Sequence, residues 1–201
     1  MRSLYDFIVK PIKGRYNNNK DIDGKKLILN TSIEEFKFIN REAIVVSIPL
    51  AYETPIRPGD KVIIHHNVFR RYYNQKGDAV DSSKLFKEDL FFCQLDQVYL
   101  YKKTDKWIAL GNRCFVSPVK SLDDFSLDKE KKGVGILKIS NSSLESLGIN
   151  EGDVVGFKSN REFEFIVDGQ RLYCMESNDI LLKYGHERNE EEYNSSWAKS
   201  S

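Results

Sequence analysis

Three short blocks in the first half of the chain recur, in the same order, in the second half. Asp6-Phe7-Ile8-Val9-Lys10-Pro11-Ile12 resembles Arg113-Cys114-Phe115-Val116-Ser117-Pro118-Val119, a strand pattern with proline at the same place. Ile56-Arg57-Pro58-Gly59-Asp60-Lys61-Val62 resembles Ile149-Asn150-Glu151-Gly152-Asp153-Val154-Val155. Tyr99-Leu100-Tyr101, a polar turn and Trp107-Ile108-Ala109-Leu110 resemble Leu172-Tyr173-Cys174, a polar turn and Ile180-Leu181-Leu182. Three matches in order read as a tandem duplication, with halves of about 1–110 and 111–186. Residues 187–201, with the Glu190-Glu191-Glu192 run and several serines, read as a solvated polar tail.

The repeated blocks sit on runs of four to seven β-branched and aromatic residues, such as Ala43–Ile48, Lys61–Ile64 and Glu162–Val167. Turn chemistry separates them: Pro58-Gly59-Asp60, Gly152-Asp153 and Asp168-Gly169. Asp168-Gly169 between two such runs predicts a two-residue hairpin. The Gly-Asp pairs need nothing beyond a turn, with Gly accepting positive φ and Asp bonding the backbone just past it. Helical periodicity is scarce, and Ser83–Leu95 reads as one short helix or an irregular insertion. The predicted class is mainly β: two tandem small β-barrels, the first with a long insertion at about 65–97.

Composition excludes several classes. With 31 Lys+Arg against 30 Asp+Glu the formal net charge is +1, which argues against a polyanion-coating protein. No apolar run approaches the ~18 residues that span a bilayer. Met1–Asp6 lacks the apolar region of a secretory signal, so none is expected. The three cysteines show no C-x-x-C spacing, which suggests a reduced cytosolic protein without a zinc site.

The segment Lys13–Asn40 is too polar and too rich in Asn and Gly to bury itself, yet it carries the apolar tripeptide Leu27-Ile28-Leu29. Connections of this length are uncommon in compact domains and are usually functional or disordered. Short apolar runs discriminate poorly, so the tripeptide also reads as a core strand.

The order of these parts resembles the co-chaperonin GroES family. The opening stretch Ser3–Lys10 resembles that family's first strand. The most specific stretch is Leu147-Gly148-Ile149-Asn150-Glu151-Gly152-Asp153-Val154-Val155, and Tyr173–Leu181 resembles the closing segment. The likeness covers most of residues 3–186, and its specificity lies in the order and doubling of short motifs. It implies that Lys13–Asn40 is a mobile loop, and that Leu27, Ile28 and Leu29 dock in an apolar groove of a GroEL-type chaperonin. Lys25-Lys26, between Gly24 and the tripeptide, departs from the family pattern. The span Pro49–Pro58 implies a reduced roof. In the second half, Lys120–Lys132 has no compact aliphatic tripeptide. The implied protein is a ring-shaped homo-oligomer that caps the chaperonin around unfolded client proteins. It would have no cofactor of its own, since the chaperonin binds ATP. The implied location is the cytoplasm of a bacterium, of a virus-infected host, or an organelle.

Catalytic signatures are weak. His65-His66 in a strand would point to opposite faces and could not chelate jointly. Gly185-His186-Glu187 is also found in zinc alcohol dehydrogenases, whose N-terminal domain shares the GroES-like barrel, but the Rossmann domain they need has no match here. The expectation is therefore no enzyme, no catalytic residue and no metal site. One rival is a module binding single-stranded nucleic acid through Arg70-Arg71-Tyr72-Tyr73. Against it, the tyrosines would pack or cover an edge while the arginines face solvent. A second rival is a structural assembly protein built on the same duplicated barrel.

Overall fold

The computed structural model describes residues 2–16, 19–22, 25–28, 39–121, 129–184 and 190–195. Contacts divide the chain into two compact units, Met1–Lys106 and Trp107–Ser201. The protein is mainly β, with 48% strand against 9% helix.

The strands run β1 (Phe7–Pro11), β2 (Asn19–Ile22), β3 (Lys25–Ile28), β4 (Glu42–Ser47), β5 (Lys61–Ile64), β6 (Tyr72–Tyr73), β7 (Ala79–Val80), β8 (Leu85–Lys87), β9 (Leu90–Cys93), β10 (Val98–Lys103) and β11 (Lys106–Ala109). Seven of them form one sheet in the order β11-β10-β5-β4-β1-β9-β8, while β2–β3 and β6–β7 are separate two-stranded pairs. β4 buries Ala43, Val45 and Ser47 and exposes Ile44 and Val46, the period of two that a half-buried strand requires. Phe7, Val9, Val45, Val62, Ile64, Phe69, Phe91 and Leu100 form the interior, where the Phe69 and Phe91 rings meet edge to face at 4.9 Å. Ser83–Leu95 carries β8 and β9, neither the short helix nor the irregular insertion that the sequence suggested. Leu90-Phe91-Phe92-Cys93 alternates inward and outward, and pairing with β1 fixes it as a strand.

The second unit continues with β12 (Arg113–Lys120), β13 (Glu130–Ile139), a short helix α1 (Ser142–Ser146), β14 (Val154–Phe157), β15 (Phe163–Val167), β16 (Gln170–Glu176) and β17 (Ile180–Lys183). Its sheet order is β15-β16-β12-β13-β14-β17. Asn141 caps α1 by accepting at Oδ1 from Leu144 N at 3.1 Å, and Gly148 follows the helix at φ 75°, the left-handed position glycine takes after a helix. Cys114, Val116, Leu137, Leu144, Val155, Phe157 and Met175 form its core. Asp168-Gly169 joins β15 to β16 as a two-residue hairpin, with Val167 opposite Gln170. None of the sheets closes into a barrel.

The two sheets share one register scheme. β1 faces β4 with Val9 opposite Val45, Lys10 opposite Ile44 and Pro11 opposite Ala43, after a shift between Ile8 and Val9. β12 faces β13 with Val116 opposite Leu137, Ser117 opposite Ile136 and Pro118 opposite Gly135, after a shift between Phe115 and Val116. The Gly-Asp turns coincide bond for bond. Gly59 N donates to Val45 O and Val45 N to Asp60 O; Gly152 N donates to Leu137 O and Leu137 N to Asp153 O. Gly59 and Gly152 lie at φ 95° and 93°. The Asp carboxylates reach back three residues rather than forward. Asp60 Oδ2 accepts from Arg57 N at 2.8 Å, and Asp153 Oδ2 from Asn150 N at 2.7 Å.

The third repeated block lies one strand away from the sequence alignment. The structure matches β9 with β16 and β10 with β17. Phe7 faces Cys93 where Cys114 faces Met175, and Val98 faces Ile64 where Ile180 faces Phe157. The link in each case is a three-residue 3-10 turn, Leu95–Gln97 and Ser177–Asp179. β8 and β9, inside the expected insertion, are thus the counterparts of β15 and β16. Within the expected insertion, the material without a counterpart is confined to the stretch between β5 and β8.

The acidic tail is not a solvated appendage over Glu190–Ser195. Tyr193 N donates to Pro118 O and Lys120 N to Glu191 O, each at 2.8 Å. Lys131 Nζ lies 3.0 Å from Glu190 Oε1. Lysines placed by β12 and β13 meet the glutamate run, which sequence proximity could not show.

Candidate functional site

The segment between β1 and β4 is gathered at its base. Asn40, buried, donates from Nδ2 to Ile12 O and, at 2.8 Å, to Gly14 O. Its backbone N donates to Arg15 O at 2.9 Å, and Tyr16 and Ile39 form an antiparallel bridge. One asparagine thus draws both ends of a long connection together, and saves several backbone carbonyls from losing their partners.

Arg15 fastens this base to the stretch after β5. Its Nε and Nη2 donate to Phe69 O at 3.1 and 2.9 Å, its Nη1 lies 2.5 Å from Asp81 Oδ1, and its guanidinium carbon sits 4.9 Å from the Phe91 ring centre. The Arg15 side chain is only 10% exposed, so the planar fork is spent on fixed partners. The Arg15 hydrogen bond, ahead of the added charge of Arg71, holds the Asp81 carboxyl below its ordinary range. Arg71 N donates to the Tyr16 hydroxyl at 2.7 Å.

Within the segment, β2 and β3 pair antiparallel, with Ile22 facing Lys25 and Lys20 facing Leu27. Asp23 and Gly24 fall between the paired residues, the dipeptide most favoured in two-residue hairpins. The polar composition of the stretch masks that signal in the sequence. Leu27 and Ile28 belong to β3, opposite Lys20 and Asn19, in a pair separate from the seven-stranded sheet. Leu29 lies outside the described residues. In the second unit the connection between β12 and β13 is far shorter, and residues 122–128 of it lie outside the described residues.

The histidines differ from expectation. β5 ends at Ile64, and His65 and His66 enter a 3-10 turn where their rings stack at 4.3 Å instead of pointing to opposite faces. His65 Nδ1 accepts from Asn67 N at 3.1 Å. Burial, then the neighbouring His65, Arg41 and Arg70, pushes the His66 pKa down to about 4. Among the described residues, no group of three or more His, Cys, Asp or Glu converges as metal ligands would. His186 lies outside the described residues. Tyr72 and Tyr73 are 42% and 45% exposed, while Arg71 is held by Asp81 at 3.2 Å and Arg70 Nε is buried. Arg71, with its side chain 47% exposed, faces water alongside both tyrosines.

All three cysteines are buried. Burial first, then the neighbouring Cys174 and Asp179, raises the Cys114 thiol to about 12, so it is not an activated nucleophile. Among the described residues no helix is long and apolar enough to cross a membrane. No protein-family model matches the chain, and no curated protein matches it.

Proposed function

We propose that this chain is a co-chaperonin of the GroES kind, two tandem GroES-like units with sheets left open, that caps a GroEL-type chaperonin ring. The β2–β3 hairpin carries the reading. It sits between the first and second sheet strands, where the resemblance places a docking loop, and bears Leu27 and Ile28 on a pair of strands outside the main sheet. The base of the segment is fixed by Asn40 and Arg15.

Each tripeptide docks weakly because ordering the segment costs conformational entropy. A ring of copies multiplies such contacts by avidity, and each one stays reversible enough for the partner's ATP-driven change to release the cap. ATP is bound by the chaperonin, and the cap does no chemistry of its own. Self-association would use open strand edges such as β17, where Leu181 and Leu182 are 57% and 56% exposed. Clients are unfolded proteins in the enclosed space, and the cytoplasm is the proposed location.

A second reading, binding of single-stranded nucleic acid at Arg70–Tyr73, has the exposed Tyr72 and Tyr73 in its favour. The pairing of Arg71 with Asp81 weakens it. Co-migration with a chaperonin in ATP, lost on replacing Leu27, Ile28 and Leu29 with serine, supports the cap. Binding to oligonucleotides that falls steeply with salt supports the alternative.

A further inference from the structure

The C-terminal segment occupies a strand edge that the rest of the second unit leaves open. β16 pairs with β12 only from Arg113 to Val116. Beyond that point Pro118 has no N–H to offer a ladder. There the tail takes over. Tyr193 N donates to Pro118 O, Lys120 N donates to Glu191 O, and Val119 bridges Glu192.

Side chains complete the seat. Glu190 pairs with Lys131 at 3.0 Å and Glu191 with Lys120 at 3.8 Å. Glu192 meets Lys138 Nζ, and accepts from Gln170 Nε2 at 2.9 Å and from Ser117 Oγ at 3.4 Å. Asn194 accepts from Arg171 N at 3.3 Å and donates to Gly169 O at 3.2 Å. The Glu190 side chain is only 10% exposed, and Ser195 is buried.

The seat recognises a class of ligand. Backbone groups of Pro118 and Lys120 take any extended peptide. Lys120, Lys131 and Lys138, brought together from β12 and β13, select one that is acidic at successive positions. The lysine ends of the three pairs are 56%, 41% and 30% exposed, so solvent screens each pair. The contact is therefore shallow enough to exchange.

We propose that this edge of β12 is a binding site for extended acidic peptide segments, and that Glu190–Ser195 is its resident occupant, displaced when an acidic segment of another protein takes the edge. The site is independent of the chaperonin reading, since it lies wholly within the second unit. Tethering keeps the resident at an effective concentration in the mM range, so a competitor must bind better than the tail or arrive in multivalent form.

The test uses the full chain with the tail repelled, E190K/E191K/E192K. The probe is a fluorescein-labelled synthetic peptide, Asn-Glu-Glu-Glu-Tyr-Asn-Ser-Ser, followed by anisotropy. The variant should bind the probe at least about tenfold more tightly than wild type, whose edge is already filled. Adding K131Q and K138Q to the variant should weaken binding about tenfold. A scrambled peptide of equal charge should bind more weakly than the native order. No binding by a folded variant, equal binding by wild type, or equal binding of the scrambled peptide would each overturn the proposal. A second measurement needs no variant: in wild type at low salt the Lys120 and Tyr193 amides should be protected from hydrogen exchange, and less so in 1 M salt. Unprotected amides at low salt would overturn it as well.

Discussion

Replacing Asp153 with alanine separates the geometry of the repeated turn from its energy. Asp60 and Asp153 make the same backbone bond in the two units, yet their surroundings differ. Asp153 is 0% exposed, accepts from Asn150 N at 2.7 Å and lies 2.8 Å from Lys183 Nζ. Asp60 accepts from Arg57 N at 2.8 Å in an exposed bond. Two residues on from each aspartate, Val62 faces Tyr101 where Val155 faces Lys183. Removing Asp153 strips the Asn150 N–H of its acceptor, about 1–3 kcal/mol, and leaves a one-third exposed lysine without its charge partner, about 0–1 kcal/mol. The expected loss is about 2–3 kcal/mol, against about 0.5–1.5 kcal/mol for Asp60→Ala. Urea denaturation followed by far-ultraviolet circular dichroism measures both. With a slope of about 1–3 kcal/mol/M the Asp153 midpoint should fall by about 1–2 M. An Asp153→Ala shift no larger than that of Asp60→Ala would refute the reasoning from burial.

Three further perturbations follow from the geometry. His66, pushed down to about 4, is neutral in the folded chain at pH 7, whereas the unfolded chain gains the proton below about 6.5. Stability should therefore fall as pH drops through 6.5 and level off near 4, by about 1–2 kcal/mol after allowing for its partial contact with solvent. His66→Gln should flatten this part of a pH series, and an unchanged slope contradicts the assignment. Gly135→Ala would place a methyl 2.3 Å from Val116 Cγ1 and 2.6 Å from Ser117 O. It should cost about 1–3 kcal/mol in thermal or urea unfolding, whereas its register counterpart Ala43 already carries that methyl. Arg15→Ala removes the bonds to Phe69 O and Asp81 and should destabilise the first unit by about 1–3 kcal/mol. Arg15→Lys should recover little of this, because an ammonium cannot reproduce the fork. A lysine variant as stable as wild type counts against the fork.

The parts of the fold that were legible from sequence are those with distinctive chemistry. Pro11 and Pro118, and Gly59-Asp60 and Gly152-Asp153, have the same register in both units because few residues satisfy those positions. The third block slid by one strand because Tyr99-Leu100-Tyr101 and Leu172-Tyr173-Cys174 are interchangeable as alternating apolar runs. The discriminating element was the polar 3-10 turn, Gln94-Leu95-Asp96-Gln97 against Glu176-Ser177-Asn178-Asp179. The tail was misread because a glutamate run looks solvated until Lys120, Lys131 and Lys138 are assembled around it. The histidine pair was misread because it was given strand geometry, whereas β5 ends with the apolar run at Ile64 and a 3-10 turn begins there. At the candidate site, Asp23-Gly24 announced a hairpin, but the anchoring of its base by Arg15 and Asn40 depends on residues tens of positions away. Only the fold brings those together.

The central claim is tested most directly by native mass spectrometry of the full chain mixed with a GroEL-type chaperonin and ATP. The account predicts a closed ring of this chain seated on the chaperonin, formed with ATP and absent when Leu27, Ile28 and Leu29 are serine in a chain that still folds. A wild-type chain that never joins the chaperonin in ATP, or a serine variant that joins as well as wild type, would contradict it.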